Sequence, residues 1–319
     1  MTSLFRPLMR LAALSLVWAV LGVLTLPAWA DSVGGGVPSL QQIASGVYVY
    51  WGPHEDASPA NQGAISNVGV VLGERCVAVI DSGGSLAFGR RLRQAIRALT
   101  SKPVCALINT HLHPDHLLGN AAFDEPAIAI YGHDRLPSSL ASRTPSYLLA
   151  AQRELGAEQV GSDIHLPRQL VAQSIWLDLG QRRLLLQAHP LAHTATDLTV
   201  MDESSGTLFT GDLLFVEHVP VIDGSVRGWL SLLDRWATLS YAQAVPGHGP
   251  LVRNWSAALA PQRQYLRRLL DGTRAALQQG QGLQAAMETV AAENLEGWQR
   301  FDVFHRRNIA AAYTELEWE

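Results

Sequence analysis

The sequence predicts an α+β fold in which two β-sheets form the core, with helices outside and a helical segment at the C-terminus. β-prone and amphipathic helical runs occur in two successive sets, and each set is followed by histidine and aspartate residues. The β-prone pattern ends near residue 256. The 319 residues are 48% hydrophobic and 16% charged, which is enough to bury a large core and excludes a disordered chain.

The N-terminus has the pattern of a secretory signal peptide over residues 1–30. Two arginines precede an uncharged apolar run at 11–26, and Ala-Trp-Ala at 28–30 supplies the small residues that a signal peptidase recognises. We therefore expect cleavage after Ala30 and a periplasmic location. The alternative is an uncleaved membrane anchor, because the apolar run approaches the length of a bilayer span.

Charge and cysteine content exclude further classes of protein. The chain has 24 basic and 28 acidic residues, so nothing in its net charge of −4 favours nucleic acid or an anionic membrane. We expect a small-molecule substrate, no nucleic-acid partner, and no membrane contact after signal cleavage. Two cysteines are too few for a disulfide scaffold. Cys76 and Cys105 lie in apolar β-prone runs, and either a disulfide between them or two buried free thiols fits this pattern.

The first set of elements follows a loose lead-in at residues 31–42. Apolar residues recur with helical period at 85–100, and the arginines between them form a solvated face. The stretch at 134–157 is mainly helical, although Pro137 and Pro145 must break or cap it. The predicted strands of this set lie at 47–51, 68–72, 76–80, 104–110 and 127–131.

The second set contains one predicted helix at 228–239 and ends in a helical C-terminal segment. Its predicted strands lie at 174–179, 183–188, 198–201, 207–210 and 242–245. Ala-, Leu-, Gln- and Glu-rich sequence then takes over, with glycines as breaks. We divide the chain into a signal peptide (1–30), a main domain (31–255) and a helical C-terminal appendage (256–319).

A dense cluster of ligand-type residues follows the strand at 104–110. His111-Leu-His113-Pro-Asp115-His116 places three imidazoles and a carboxylate in six residues, and both groups suit zinc. Similar residues follow later strands, namely His193, Asp212 and His248. Each alone has an ordinary explanation as a turn or capping residue, but together they predict a metal site past the strand ends.

These motifs, with Gly119-Asn120, His-Thr at 193–194 and Gly-His-Gly at 247–249, resemble the metallo-β-lactamase superfamily over residues 46–252. The resemblance implies an αβ/βα sandwich with metals along one edge of the sheets and Asp81 as a buried supporting acid. It also implies two zinc ions, with Fe or Mn as alternatives. The implied ligands are His111, His113 and His193 for one metal, Asp115, His116 and His248 for the other, and Asp212 as the bridge.

The resemblance implies a hydrolase in which metal-bound hydroxide attacks a carbonyl, with Asp115 and Asp212 as catalytic residues. Water bound to zinc has a pKa near about 7, so hydroxide is available at neutral pH. Zinc β-lactamases typically carry Cys or Ser in place of Asp212, whereas thioesterases and lactonases of the superfamily keep the aspartate. We therefore expect an ester, thioester or lactone as the substrate.

Further stretches resemble a narrower group, the periplasmic quinoprotein relay system and sulfur-oxidation-cluster zinc metallohydrolases. They include residues 61–63, 211–220, 223–224 and 305–308. This resemblance implies a link to a periplasmic quinoprotein dehydrogenase system. It leaves open whether Phe215, His218 and Trp229 line the substrate pocket or simply pack in the core.

Three other functions remain as alternatives. The first is a zinc β-lactamase-like hydrolase. The second is a mononuclear iron persulfide dioxygenase, although such sites use fewer ligands and this chain has both His116 and His248. The third is a non-catalytic zinc-binding partner protein that has kept the ligand residues.

Overall fold

Two β-sheets form the centre of the structure, a computed structural model that describes residues 1–2, 36–290 and 297–319. The predicted cleavage site after Ala30, and the signal sequence from residue 3 onward, lie outside the described residues. The first sheet has the order β1-β2-β3-β4-β5-β6-β7, antiparallel as far as β4 and parallel beyond it. Its strands are β1 (Gln41–Ala44), β2 (Val47–Tyr50), β3 (Val68–Leu72), β4 (Val77–Ile80), β5 (Val104–Ile108), β6 (Ala129–His133) and β7 (Gln169–Val171).

The second sheet has five strands in the order β12-β11-β10-β9-β8. Adjacent strands of this sheet pair antiparallel, except that β11 and β12 run parallel. The strands are β8 (Ser174–Asp178), β9 (Arg183–Ala188), β10 (Leu198–Asp202), β11 (Thr207–Phe215) and β12 (Gln243–His248).

Helix α1 covers the outer face of the first sheet, and helices α5, α6 and α8 cover that of the second. The helices are α1 (Leu86–Leu99), α2 (Pro114–Leu117), α3 (Leu136–Ala141), α4 (Thr144–Leu155), α5 (Val226–Trp236), α6 (Trp255–Gln278), α7 (Leu283–Thr289) and α8 (Phe301–Leu316), with a 3₁₀ turn at Asn120–Phe123. Helix α1 begins where the Ser85 side chain accepts a hydrogen bond from the backbone N–H of Phe88. No helix in the described ranges is both long and apolar enough to cross a membrane.

Alternation along the strands creates separate apolar layers. In β4, Ala78 and Ile80 face the layer shared with the second sheet, whereas Val77 and Val79 face the layer under α1. A third layer lies between the second sheet and the helices α5, α6 and α8. These layers give the order helix, sheet, sheet, helix, and they confirm the predicted α+β sandwich.

Most predicted elements are confirmed, with shifted ends. The lead-in is not wholly loose, because β1 begins at Gln41, and the short strand β7 was not predicted. The stretch at 134–157 divides into α3 and α4, and each helix has its proline in the first turn, where no backbone N–H is needed. The predicted strand at 207–210 continues to residue 215.

The two cysteines form a disulfide, so the free-thiol alternative is wrong. Cys76 precedes β4 and Cys105 lies in the neighbouring parallel strand β5, with the two Cα atoms 5.8 Å apart. The parallel pairing of β4 and β5 therefore brings together residues that are 29 positions apart in the chain.

Candidate metal centre

All seven predicted ligand residues meet at one edge of the sandwich. The first sheet contributes the loop after β5 and the short helix α2, which starts at a proline suited to the first helical position. The second sheet contributes the β9–β10 connection, the middle of β11 and the last residue of β12. In chain order, these segments carry His111 and His113, Asp115 and His116, His193, Asp212, and His248.

Four of these side chains surround one point. The Nδ1 atom of His113 lies 3.1 Å from Nε2 of His111 and 3.1 Å from Nε2 of His193. Oδ2 of Asp212 lies 3.6 Å and 3.5 Å from the same two Nε2 atoms. Ligand atoms about 2.05 Å from one tetrahedral zinc are about 3.4 Å apart, so this spacing suits a single ion.

Asp115, His116 and His248 surround a second point. Oδ2 of Asp115 lies 3.3 Å from Nε2 of His116 and 3.2 Å from Nε2 of His248. Asp212 also reaches this group, because its Oδ1 lies 3.1 Å from Nε2 of His116 and its Oδ2 lies 3.6 Å from Nε2 of His248. Asp212 is therefore placed as a residue that bridges both groups.

Two inward-facing atoms of this cluster are buried without a hydrogen-bond partner. They are Nε2 of His116 and Oδ1 of Asp212, which lie 3.1 Å apart. Buried polar atoms in proteins are nearly always satisfied, so an unsatisfied pair of ligand-type atoms indicates a metal site. The donor set of imidazole nitrogens and carboxylate oxygens, with its spacing, fits divalent metal ions at the two points.

Hydrogen bonds on the outer side of the cluster orient four of the imidazoles. A ring nitrogen that donates its proton outward keeps a lone pair on the inward nitrogen, which is the form that binds a metal. The outward contacts are His111 Nδ1 to Thr110 Oγ1 at 3.0 Å, His113 Nε2 to Asp223 Oδ2 at 3.0 Å, His116 Nδ1 to Asp81 Oδ2 at 2.8 Å, and His193 Nδ1 to the carbonyl of Val221 at 2.6 Å.

Asp81 supports the cluster from a buried position at the end of β4. Its Oδ1 accepts the backbone N–H of Thr110 at 2.8 Å, and its Oδ2 accepts the Thr110 hydroxyl at 2.8 Å as well as the His116 ring. Its backbone has a φ of 62°, in the left-handed region that aspartate tolerates better than most residues. Asp81 therefore holds the start of the 110–116 segment in place.

The two groups of ligand side chains differ in the protonation of their imidazoles. Burial lowers the pKa of His193 to about 3, so this imidazole is neutral at physiological pH. Burial also opposes protonation of His116 and His248, but nearby carboxylates, Asp212 first, raise the pKa of His116 well above its usual value and that of His248 to about 9. Burial raises the pKa of Asp212, but surrounding imidazoles, His116 first, bring it well below the usual range. The second group therefore exchanges protons for a metal when it binds one.

The Gly-His-Gly motif at 247–249 lets the second sheet approach the cluster closely. A Cβ atom on Gly247 would overlap Oδ1 of Asp212. The side-chain amide of Asn67, next to β3 of the first sheet, donates to the carbonyls of Pro246 at 2.8 Å and Gly249 at 2.9 Å. These bonds tie the turn that carries His248 to the opposite sheet.

The aromatic residues whose role the sequence left open pack against ligand side chains. The Phe215 ring stacks on His248 with 5.3 Å between centroids, and the Trp229 ring lies 5.3 Å from His193. His218 lies 5.2 Å from the same His248 ring. Phe215 and Trp229 are fully buried and His218 is nearly so, and the structure therefore favours packing over pocket lining.

The sequence did not point to two side chains beside the cluster, Arg143 and Tyr147. The Arg143 guanidinium donates from Nη1 to Oδ2 of Asp223, the oxygen that also accepts from His113, and to the Tyr147 hydroxyl at 3.2 Å. Arg143 precedes α4, and no motif marks it. Only Asp223-Gly224, one of the stretches of the narrower resemblance, pointed to this side of the site.

A family model described as "Metallo-beta-lactamase superfamily" matches residues 62–248, which is more than half of the chain. Solved structures resemble the fold at low sequence identity. A metallo-beta-lactamase family protein from Thermus thermophilus has a TM-score of 0.64 at 18% identity, over 87% of this chain and 94% of that chain. A beta-lactamase domain protein from Burkholderia ambifaria has a TM-score of 0.62 at 18% identity, over 89% of each chain.

The fold also resembles that of a larger enzyme. The stereoselective inverting sec-alkylsulfatase Pisa1 from Pseudomonas sp. has a TM-score of 0.68 at 14% identity, over 88% of this chain and 50% of that chain. The chain spans about half the length of this sulfatase. At such identities the likeness shows the fold alone, and the chemistry depends on the side chains of the cluster.

Proposed function

The chain belongs to the metallo-β-lactamase superfamily, and on that premise we propose that it is a dinuclear zinc hydrolase of esters, thioesters or lactones. The convergence of seven ligand side chains in two groups, joined by Asp212, carries this proposal. The four outward hydrogen bonds support it, because each leaves an inward lone pair available to a metal.

Each group of side chains would hold one of the two zinc ions. His111, His113 and His193 would hold one zinc ion, Asp115, His116 and His248 the other, and Asp212 both. When bound, such ions lower the pKa of water from about 16 to near about 7 and stabilise developing negative charge on a substrate oxygen.

Solvent reaches the cluster on the side of Asp115 and His113. Their side chains are 21% and 14% exposed, whereas those of His111 and His193 are at most 1% exposed. Substrate therefore approaches past Asp115 and His113. The pKa of Asp115, raised by burial, is brought well below its usual value by the imidazoles of His116 and His248, so its carboxylate is ionised, which is the form that binds a metal and can orient an attacking water.

The carboxylate of Asp212 supports the substrate class. A carboxylate shared by two metal ions adds negative charge between them and moderates their attraction for a leaving nitrogen. We expect esters, thioesters and lactones, whose leaving groups depart more readily than an amide nitrogen, to be hydrolysed faster than β-lactams.

We extend the proposal to a periplasmic location beside a quinoprotein dehydrogenase system. The apolar run at 11–26 followed by Ala-Trp-Ala supports export. The Cys76–Cys105 disulfide supports an oxidising compartment, since structural disulfides are rare in the cytosol. The link to quinoproteins is supported by the narrower sequence resemblance alone.

The test is metal analysis of protein recovered from the periplasm, combined with a chromogenic panel of a thioester, a lactone and a cephalosporin. We expect two zinc ions per chain and the lowest kcat/KM for the cephalosporin. His113→Ala should lose metal and most activity. His165→Ala is the matched control, because His165 pairs with Asp124 away from the cluster. One iron per chain would refute the zinc assignment, and zinc without turnover would refute the hydrolase.

A further inference from the structure

We propose that Arg143 and Tyr147 form an anion-binding cradle at the entrance to the candidate metal centre, so that the preferred substrate carries a carboxylate, sulfate or phosphate group. That this anion belongs to a substrate rests on the proposed hydrolase function. The cradle itself is defined by the contacts around Asp223.

Arg143 is tied to the metal centre through a single oxygen atom. Oδ2 of Asp223 accepts the His113 ring at 3.0 Å and also the Arg143 guanidinium. Arg143 therefore lies two hydrogen bonds from a proposed metal ligand, on the His113 side where solvent reaches the cluster. Its side chain is 37% exposed and that of Asp223 is 21% exposed, so a molecule entering the site meets both.

Only one end of the Arg143 guanidinium is used by the protein. Nη1 bonds Asp223 and the Tyr147 hydroxyl, and among the described residues Nε and Nη2 have no partner. The Nε–Nη2 edge of arginine carries two parallel N–H groups whose spacing matches the oxygens of a carboxylate, sulfate or phosphate. Asp223 holds the guanidinium in position while this edge stays available.

The Tyr147 hydroxyl completes the cradle. It accepts a hydrogen bond from Nη1 of Arg143 at 3.2 Å, so its own proton is available to an anion. An anion at this place would therefore meet the Nε–Nη2 edge of Arg143 and the Tyr147 hydroxyl.

The test uses two esters that differ in one charged group, mono-p-nitrophenyl glutarate and p-nitrophenyl pentanoate. We expect the metal-loaded full chain to prefer the glutarate ester by at least about tenfold in kcat/KM, mainly through KM, as for the gain of a charge-assisted pair. Arg143→Gln should abolish most of this preference. Arg143→Lys should restore it only in part, because lysine keeps the charge and lacks the fork.

Arg306→Gln is the control for a general loss of positive charge, since Arg306 is an exposed arginine of α8 outside the cradle. It should keep the wild-type preference. Equal turnover of both esters by the wild type, unchanged in Arg143→Gln, would overturn the cradle and leave the hydrolase proposal intact.

A binding measurement separates the two proposals if neither ester is turned over. Calorimetric titration with free glutarate should then show at least about tenfold weaker binding to Arg143→Gln than to the wild type. Equal affinities would overturn the cradle. Weaker binding to Arg143→Gln without turnover would support the cradle and refute hydrolysis of simple esters.

Discussion

Reduction of the Cys76–Cys105 disulfide should destabilise the protein by an amount that its chain spacing fixes. The bond closes a loop of 29 residues that contains the whole of α1. In the chain-entropy account, a loop of this length is worth about 3.6 kcal/mol at 25 °C, because the bond removes open conformations from the unfolded chain. For a chain of 319 residues, the entropy of unfolding makes each kcal/mol correspond to about 1.5 °C in Tm, so reduction should lower Tm by about 5 °C.

The assay is thermal unfolding followed by far-ultraviolet circular dichroism, with and without a phosphine reductant. The chain has 2 cysteines and both are in this bond, so the reductant breaks no other disulfide. Cys76→Ala/Cys105→Ala should match the reduced wild type, apart from the packing of two small side chains. A shift below about 2 °C would refute the entropic argument, and two titratable thiols in unreduced protein from the periplasm would refute the disulfide.

Three further predictions concern the site and its surroundings. Asp212→Asn should weaken binding at the second metal point and cut kcat/KM for a thioester by at least about tenfold, measured with metal content on the same samples. Chelation should lower Tm, since a metal present at about 100 times its Kd contributes about 2.7 kcal/mol, and zinc should restore it where magnesium does not. Burial lowers the pKa of His189 to about 4. As the pH falls below about 6.5, the His189 ring is therefore protonated in the unfolded chain before it is protonated in the folded chain. The contribution of His189 to stability should therefore fall by about 2 kcal/mol between about pH 7 and pH 5, so urea titrations of His189→Gln should show a pH dependence that is shallower than the wild type by about this amount.

The fold was predictable where local pattern and tertiary environment agree. Strand β4 is apolar on both faces because sheet and helix cover it from opposite sides, and α1 shows its buried face as a helical period. Strand β7 has three residues, too few for a periodic signal. The predicted strand at 207–210 is too short because Gly211-Asp212 has turn character. In the fold, the pairing of β11 with β12 continues past this point with a shift in register.

The candidate site was predictable where its residues form a local motif, and not where it depends on contacts between distant parts of the chain. His111 to His116 form a local motif, so four ligands are visible in one short segment. Arg143 and Asp223 lie 80 residues apart, and their contact depends on the positions of α4 and of the loop before α5 in the folded chain. No periodicity or spacing in a single sequence encodes such a contact, and the cradle therefore required the structure.

The candidate metal site lies at a joint between the two sheets. The first sheet supplies the 111–116 segment and the second supplies Asp212 and His248, so neither sheet holds a complete site alone. Protein contacts already cross this joint, because the carbonyl of Thr110 accepts the backbone N–H of Leu198 at 2.7 Å and Asn67 bonds the turn at 246–249. Any metal bound there adds its binding free energy to the same contact, since the separated sheets would bind it less well. Residues that align the sheets therefore influence metal affinity without touching the metal, and loss of metal should loosen this edge of the sandwich before the layer under α1.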